Sequence, residues 1–437
     1  MAIQETRQIP IELVERISEQ KGEPDWMRQK RLRALERFES LPVPRWWHTD
    51  VRDLKLEGVQ SYEPFLESGP DELQGKLLER ARQTSETSGL MVQCNAQTSY
   101  RRLSEELQAQ GVIFTDLDTA LREHEDLVRK YFMTDCVSMD ENKFVALHAA
   151  LWSGGVFLYV PRDVEIKLPF AARHLLGSDG GALFEHTLIV TEPGSRLIFV
   201  ESIESEESSI SKLHDSVVEI IPGEGSQIIY AATQALDEKT INFTLRRGVL
   251  SRDAEIRWFV SEMGSKLTRS FNQCILKESG SRAEMKTIFF GARKQHLDIE
   301  CSTLHIGDHS WSDILTKGAL ADKAVSVYNA VTDIKSGAMG TKTFQTENTL
   351  LLSDEAKSNA IPGLYIEENE LEGAGHAATV GKVDADQLFY LRSRGIPETE
   401  ATKMIVKGFL DDMLKSMPLD ELREEISDLI DRKLASA

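Results

Sequence analysis

The sequence predicts a mainly β protein, a β-solenoid or β-helix with helical regions at both ends. Between residues 142 and 380 the chain is a succession of short segments rich in Val, Ile, Phe and Tyr, separated by Gly, Asp, Ser and Pro. No long amphipathic pattern interrupts these segments, although a doubly wound α/β fold would need helices between its strands. Amphipathic helical patterns occur only before and after this stretch.

Each of these segments has the length of one strand and many β-branched residues. A β-sandwich has about 100 residues per unit, so a much longer run of strands favours a continuous stack. No constant repeat length is visible. The clearest predicted strands are residues 156–161, 187–192, 196–201, 217–222, 227–231, 255–261, 286–290 and 324–331.

The beginning of the chain is predicted to be mainly helical. Apolar residues recur near the helical period over residues 10–40, where Pro24 suits the first turn of a helix. Similar patterns predict helices over residues 100–110 and 115–132. The polar segment 81–89 is rich in turn-forming residues and predicts an exposed loop.

The end of the chain is predicted to form three short helices. Asp384 can cap a helix over residues 385–394 that ends before Gly395, and Pro397 and Pro418 can each open another. The second and third helices carry apolar stripes, which we expect to close on the helical region itself. The stripes comprise Ala401, Met404, Ile405, Gly408, Phe409 and Met413, and then Leu422, Ile426, Leu429, Ile430 and Leu434.

These patterns divide the chain into three regions. We expect a mainly helical N-terminal region over residues 1–135, a β core over residues 136–382 and a helical C-terminal region over residues 383–437. The first boundary lies where helical patterns give way to strands near Asn142. The second lies just before the helix that Asp384 can cap.

Composition limits the partners and the compartment. The 437 residues include 71 acidic and 51 basic ones, for a formal net charge of −20, which repels nucleic acids and anionic lipids. Cys94, Cys136, Cys274 and Cys301 share no CxxC spacing and are too sparse for a secreted disulfide framework. The first twenty residues lack a signal-peptide pattern, and no segment approaches the ~20 apolar residues of a membrane span. We therefore expect a cytoplasmic protein.

No motif specifies a catalytic site. The P-loop pattern GxxxxGK[ST] and the GxSxG elbow are both absent from the sequence. Residues 373–378 match GxGxxA, but residues 379–381 do not begin a helix, as a dinucleotide site requires. A carbohydrate-active β-helix enzyme stays open as a remote alternative, although no carboxylate cluster marks a groove for it.

Segment 296–309 is the richest in side chains that can bind metals. On a strand these side chains alternate between two faces, with His296, Asp298 and Glu300 on one and Cys301, Thr303 and His305 on the other. No three residues on one face have a familiar metal-binding spacing. We therefore favour a hydrogen-bonded polar ladder or an interface, and the roles of His296, Cys301 and His305 stay open.

Three blocks of the sequence resemble the SufB/SufD family of iron–sulfur cluster assembly proteins. The most specific is HAATVGKVDADQLFYLRSRGI at residues 376–396, and the others are NKFVALHAALWSGGVFLYVP at 142–161 and FEHTLIV at 184–190. Their order and spacing match over residues 142–437. The resemblance implies a right-handed parallel β-helix between helical regions, in a scaffold subunit that is not itself an enzyme.

The resemblance also implies partners. In the family, SufB and SufD chains pair through their β-helices, each C-terminal helical region docks one SufC ATPase, and the complex builds a nascent iron–sulfur cluster. Whether a flavin also binds the assembled complex is left open. The resemblance assigns the ATPase contact to Phe389, Tyr390, Leu391, Arg392, Arg394, Gly395 and Ile396.

Departures from the SufB pattern make the chain most like SufD. SufB proteins carry a cysteine shortly after the block LLSD, but residues 354–359 contain none, and the acidic residue after the matching histidine is Ala377 here. Some SufD proteins have a cysteine where this chain has Ala374. His376 matches the histidine of the SufD motif, and the resemblance implies that it is a ligand of the nascent cluster at the SufB interface, with the other ligands supplied by the partner. The alternative is a purely architectural subunit without cluster ligands.

Overall fold

The chain is built around two parallel β-sheets, and each turn of the backbone contributes to both of them. A computed structural model describes residues 9–52, 75, 86–177, 181–417 and 419–436. From residue 155 to residue 382, successive strands alternate between the two sheets. The result is a parallel β-helix of about eight turns with helices at both ends, which confirms the predicted fold class.

Each turn of the β-helix contributes one strand to each sheet. The ten-stranded sheet contains β1 (Gly89–Cys94), β2 (Gln97–Leu103), β5 (Phe170–Leu176), β7 (Arg196–Ser205), β9 (Gln227–Ala235), β11 (Glu255–Glu262), β13 (Arg282–Gly291), β15 (Trp311–Leu320), β17 (Lys342–Leu351) and β19 (Gly373–Lys382). The nine-stranded sheet contains β3 (Ile113–Asp116), β4 (Gly155–Val160), β6 (Gly181–Thr191), β8 (Lys212–Pro222), β10 (Thr240–Leu250), β12 (Leu267–Leu276), β14 (His296–His305), β16 (Val325–Ile334) and β18 (Lys357–Ile366).

The predicted strands agree with the observed ones. Every predicted strand overlaps a strand of the β-helix. The spacing between paired residues varies from turn to turn: Ile241 pairs with Leu267, 26 residues later, whereas Val325 pairs with Lys357, 32 residues later. Because the corners differ in length, no constant repeat appears in the sequence.

One corner of the β-helix repeats the same turn. A residue with positive φ follows each strand of the nine-stranded sheet from β4 to β16 there, and its N–H donates to a carbonyl of the next turn, as Gly225 does to Arg252 O at 2.9 Å. Glycine adopts this conformation without strain. The residues in question are Asp163, Gly194, Gly225, Asp253, Gly280, His309 and Gly340.

Except for the short helix Glu105–Ala109, whose Leu107 packs with the interior of the β-helix, the N-terminal helices cover the outer face of the nine-stranded sheet. They are α1 (Ile11–Lys21), α2 (Asp25–Ser40), α3 (Glu105–Ala109), α4 (Leu117–Glu123), α5 (Glu125–Tyr131) and α6 (Lys143–Leu151). Residues of α1, α2 and α6 form one buried apolar cluster with outward-facing residues of β6, β8 and β10. In the part of the chain that the structure describes, no helix is both long and apolar enough to cross a membrane.

Several N-terminal predictions need correction. The predicted helix 10–40 is two helices separated at Gly22, whose φ is +61°. The first residues of predicted helix 100–110 belong to β2, because pairing with β1 overrides the local helical pattern. Residues 143–151, assigned to the β core, form α6. Residues 81–85 of the predicted loop lie outside the described residues.

The C-terminal helices do not close only on themselves. They are α7 (Ala385–Ser393), α8 (Glu398–Lys415) and α9 (Asp420–Ser436). Buried residues of α8 and α9, including Val406 and Ile430, pack with Phe259 and Phe290 on the outer face of the ten-stranded sheet. The expectation of a self-contained helical region is therefore wrong. Pro418, predicted to open the last helix, lies outside the described residues.

The predicted stripe of α8 is also corrected. Met404 is exposed, whereas Val406 and Leu410 are fully buried. Because α8 packs against both α9 and the sheet, its buried face is wider and turned relative to the predicted stripe. The predicted stripe of α9 is confirmed, with Ile426 and Ile430 at its buried centre.

Candidate functional site

His376 lies on the last strand of the β-helix. Its strand, β19, pairs with β17, and the Cα of His376 is in register with that of Gln345. The Gln345 side chain is buried inside the β-helix, where Nε2 donates to Gly363 O at 3.1 Å and to Thr332 Oγ1 at 2.5 Å. Because paired residues of parallel strands point to the same face, His376 lies on the interior side of its strand. It is nevertheless exposed, since no further turn among the described residues covers it.

The end of the β-helix that carries His376 is open. Among the described residues, β18 and β19 each have a hydrogen-bonded strand on one side only, whereas at the other end the antiparallel strands β2 and β3 finish the two sheets. Apolar side chains are exposed at the open end, with Tyr365 at 61% and Val380 at 39%. Two long edge strands, each with one unpaired edge and exposed apolar residues, are a surface on which another strand can pair.

One buried carboxyl lies close to this end. The Cα of Glu347 on β17 is paired with that of Ala378, two residues beyond His376. Burial raises the pKa of Glu347 to about 7, and Thr349 Oγ1 donates to it at 3.1 Å. Among the described residues, no three His, Cys, Asp or Glu side chains are arranged to hold a metal ion.

The four cysteines are not exposed at the open end. All four are buried and free of disulfides. Burial raises the pKa of Cys136, Cys274 and Cys301, which disfavours the thiolate that binds iron. Any thiolate ligand at His376 would therefore have to come from another chain.

The polar segment 296–309 forms a ladder and an interface. His305 is buried, with Nδ1 at 2.8 Å from Ser310 Oγ and Nε2 at 2.8 Å from Ser312 Oγ. On the other face of β14, His296 Nε2 lies 2.8 Å from Thr49 Oγ1 in the N-terminal region. The structure agrees with the interpretation of this segment as a polar ladder and an interface.

The predicted ATPase contact lies on an exposed helix. Asp384 caps α7 by accepting hydrogen bonds from Asp386 N and Gln387 N, and Gly395 ends it with a φ of +86°. In the described structure none of the α7 side chains is buried, and Phe389 is 72% exposed.

The other residues of the predicted ATPase contact lie on this helix or directly after it. Arg394 lies over the ring of Tyr390, with its guanidinium 5.2 Å from the ring centroid, and Arg392 pairs with Glu398 at 3.1 Å. Leu391 and Ile396 are half-buried, and Leu391 O accepts a hydrogen bond from Ile396 N. The block thus combines exposed aromatic rings with arginine side chains, a composition enriched at protein interfaces.

Sequence reasoning missed two buried clusters of charged residues. Inside the β-helix, His174 Nδ1 lies 2.7 Å from Glu185, and His174 Nε2 lies 3.2 Å from Glu201. Burial opposes the charged imidazole, yet the two carboxylates raise the pKa of His174 to about 10. The second cluster lies outside the nine-stranded sheet and includes His186. Glu185 and His186 both fall in the block FEHTLIV, the one signal in the sequence that pointed to these positions.

Comparison with known proteins gives consistent matches. A family described as "SUF system FeS cluster assembly, SufBD core domain" matches residues 174–409, and "SufBD protein N-terminal region" matches residues 14–171. The chain is 36% identical to the iron–sulfur cluster assembly protein SufD of Bacillus subtilis (strain 168) over 431 residues, which cover 97% of each protein. It is 32% identical to SufB of the same strain over 424 residues, which cover 95% of this chain and 90% of the relative.

A third relative has the same extent of similarity. The iron–sulfur cluster assembly SufBD family protein SSP1857 of Staphylococcus saprophyticus is 33% identical over 419 residues, which cover 93% of this chain and 89% of the relative. The core-domain match extends from β5 into α8. It therefore includes both His376 and the exposed helix α7.

Proposed function

Because the chain belongs to the SufB/SufD family of iron–sulfur cluster assembly proteins, we propose that it is the SufD-like subunit of a scaffold built with a SufB-type chain and a SufC-type ATPase. The observation that carries this proposal is the open end of the β-helix, where the exposed His376 lies on an edge strand that is paired on one side only among the described residues. The higher identity to SufD than to SufB of the same organism supports the SufD assignment.

The SufB-type partner would bind at this open end. The edges of β18 and β19 offer unpaired backbone groups and exposed apolar side chains, including Tyr365 and Val380. A second β-helix of the same family could add its own edge strands to both sheets, which would satisfy the backbone and bury the apolar side chains.

His376 would then contribute one ligand to the nascent cluster. A neutral imidazole can bind iron through a ring nitrogen, and the neighbours Gly375 and Ala377 leave access to it. The buried cysteines of this chain fit a half-site, in which the partner supplies thiolate ligands. The cluster is the cargo of the complex.

The ATPase would dock on α7. This helix presents Phe389 and Tyr390 to solvent, whereas the apolar stripes of α8 and α9 are already buried against the β-helix. Large exposed aromatic side chains next to arginines are typical anchors of protein interfaces. Among the described C-terminal residues, α7 therefore has the largest exposed apolar side chains, Phe389 and Tyr390.

The proposal is tested by co-expression with SufB-type and SufC-type chains, followed by anaerobic absorption spectroscopy of the purified complex. We expect His376→Ala to leave the complex assembled and to lower the cluster yield about tenfold or more, because one of the few ligands is lost. His48→Ala, which removes an exposed histidine of the N-terminal region, is the matched control and should keep the wild-type yield.

Each outcome has a distinct meaning. Failure of the three chains to copurify would contradict the scaffold assignment itself. Normal assembly with full cluster yield in His376→Ala would remove the ligand role and favour the purely architectural subunit. Turnover of polyuronides by the purified chain would instead support a carbohydrate-active β-helix enzyme.

A further inference from the structure

Four buried titratable side chains form a continuous series between the N-terminal helices and the β-helix. His148 on α6 and His186 on β6 are joined by a contact of 3.1 Å between His148 Nε2 and His186 Nδ1. Each imidazole also contacts a carboxyl group of β8. His148 Nδ1 lies 3.4 Å from Asp215 Oδ1, and His186 Nε2 lies 3.0 Å from Glu219 Oε1.

The contact between the two imidazoles restricts the number of protons. One nitrogen must donate and the other must accept, so two neutral rings have the same tautomer. With both rings as Nε2–H tautomers, Asp215 must donate a proton to His148, and Glu219 accepts as a carboxylate. With both rings as Nδ1–H tautomers, the roles of Asp215 and Glu219 are exchanged. In either state the three contacts use three protons, of which one belongs to a carboxyl group. A charged His148 beside an ionised Asp215 would use the same number, but the full burial of both side chains disfavours that ion pair.

The surroundings select the first state. Glu219 accepts hydrogen bonds from the backbone N–H groups of Met133 at 2.6 Å and Val137 at 3.1 Å. Lys30 also lies close to it, since Lys30 Nζ donates to the carbonyl oxygen of Met133 at 2.8 Å. Asp215 has His148 and His214 beside it, and no backbone hydrogen bond among the described residues lowers its pKa. A carboxylate is therefore better stabilised at Glu219 than at Asp215.

We propose that this proton-holding chain, Asp215–His148–His186–Glu219, makes the attachment of the N-terminal helices to the β-helix dependent on pH. The proton lies on Asp215, and both imidazoles are neutral. All four groups are buried, and they connect α6 with two strands of the nine-stranded sheet. Glu219 further holds the segment after α5 through Met133 and Val137. This proposal is independent of any role in cluster assembly.

The other charged groups around these four side chains do not remove the need for the proton on Asp215. Burial raises the pKa of both carboxyl groups, that of Glu219 to about 8, and lowers that of His186. At Glu219 the N–H groups of Met133 and Val137 and the charge of Lys30 oppose this effect and favour the carboxylate. Lys30, whose pKa is lowered by burial to about 8, balances the charge of Glu219. The titratable and charged groups that face the chain or Lys30 are Arg33, Cys136, Glu141, His214 and Arg247.

The pH dependence follows from the proton counts of the attached and detached states. Detached carboxyl groups titrate near pH 4 and detached histidines near pH 6.5. Between about pH 6.5 and 8 the attached state binds more protons than the detached state, so its stability falls as pH rises. Above about pH 8 the attached state loses the Lys30 proton, which offsets this difference. Below about pH 6.5 the detached histidines bind more protons, so stability falls as pH decreases. The attachment should therefore be most stable at about pH 6.5.

The tautomers of His148 and His186 provide a direct test on the unmodified protein. Ring-nitrogen NMR shifts of the full-length protein between pH 6 and 9 should show His148 and His186 as neutral Nε2–H tautomers. A charged ring at neutral pH, or two Nδ1–H tautomers, would overturn the proposal, since either places the proton elsewhere. Amide protection of α1, α2 and α6, corrected for intrinsic exchange, should be greatest at about pH 6.5.

Two amide substitutions, at Asp215 and at Glu219, distinguish the two ends of this series of four side chains. In Asp215→Asn the amide can still donate to His148, so protection should persist and its decline above about pH 6.5 should disappear. In Glu219→Gln an N–H group of the amide faces a backbone N–H, so protection should fall about tenfold or more. The reverse order of effects would contradict the assignment. Asp140→Asn, at an exposed residue of the same junction, should leave the pH profile unchanged.

Discussion

Gly155 begins β4 with a φ of +122°, close against the neighbouring strand β6. A Cβ atom added there would lie 1.9 Å from the carbonyl oxygen of His186. Both the backbone conformation and the contact require glycine. The position lies in the sequence block 142–161, where the chain passes from α6 into the first turn of the β-helix. The lack of a side chain at Gly155 thus allows the chain to pass from the N-terminal helices into the β-helix.

We predict that Gly155→Ala destabilises the protein by about 3 kcal/mol or more, because the clash is with backbone that packing holds in place. The matched control is Gly225→Ala, which also has a positive φ, of +65°, but has no described atom within 4 Å of the added Cβ. It should cost about 1 kcal/mol, the strain of the left-handed conformation alone. Denaturant midpoints of both variants check the prediction; equal losses would contradict it.

The sequence pointed to His376 as a candidate cluster ligand, but it did not predict the surroundings of this side chain. The closing block named the residue through a family resemblance, whereas its position over Gln345 depends on pairing between strands that are 31 residues apart. The buried clusters were hidden for the same reason. Glu185 and His186 are neighbours in sequence but face opposite sides of β6, and their partners lie on other strands. Alternation alone does not reveal which distant side chain each one meets.

At the scale of elements, local signals fixed the ends of the C-terminal helices better than their packing. The cap at Asp384 and the left-handed Gly395 define α7 as predicted, because both effects involve only neighbouring residues. The buried face of α8 was predicted incorrectly, because it depends on the sheet beneath it. Likewise, β2 occupies part of a predicted helix because its pairing with β1 is not local.

Helix α7 carries the prediction for ATPase docking. Phe389→Asp should abolish copurification of a SufC-type ATPase, because it replaces a 72% exposed apolar ring with a charge at the proposed contact. The free energy of unfolding should change by less than about 0.5 kcal/mol, as is usual for exposed positions. Gln387→Asp adds the same charge on the same helix and is the control. Retained ATPase binding by a folded Phe389→Asp chain would move the contact elsewhere.

At the scale of the whole molecule, the two ends of the β-helix differ in a way that composition does not reveal. A long series of β-branched segments without helices was enough to predict a solenoid. The same pattern did not predict a repeat length, because the corners vary in length while the register between paired strands is kept. The antiparallel strands β2 and β3 close one end with residues from the predicted helical region. The other end has no such cover among the described residues.

This asymmetry predicts where a partner chain binds. Val380→Lys places a charge on the exposed edge of β19, and charged edge residues oppose strand pairing between chains. We expect the variant to fold with an unchanged denaturant midpoint and to lose association with a SufB-type chain in size-exclusion chromatography. Ile306→Lys is the control, because Ile306 is similarly exposed, at 43%, but lies at a corner after β14. If Ile306→Lys alone prevented association, the interface would lie along the side of the β-helix, and the open end would need another explanation.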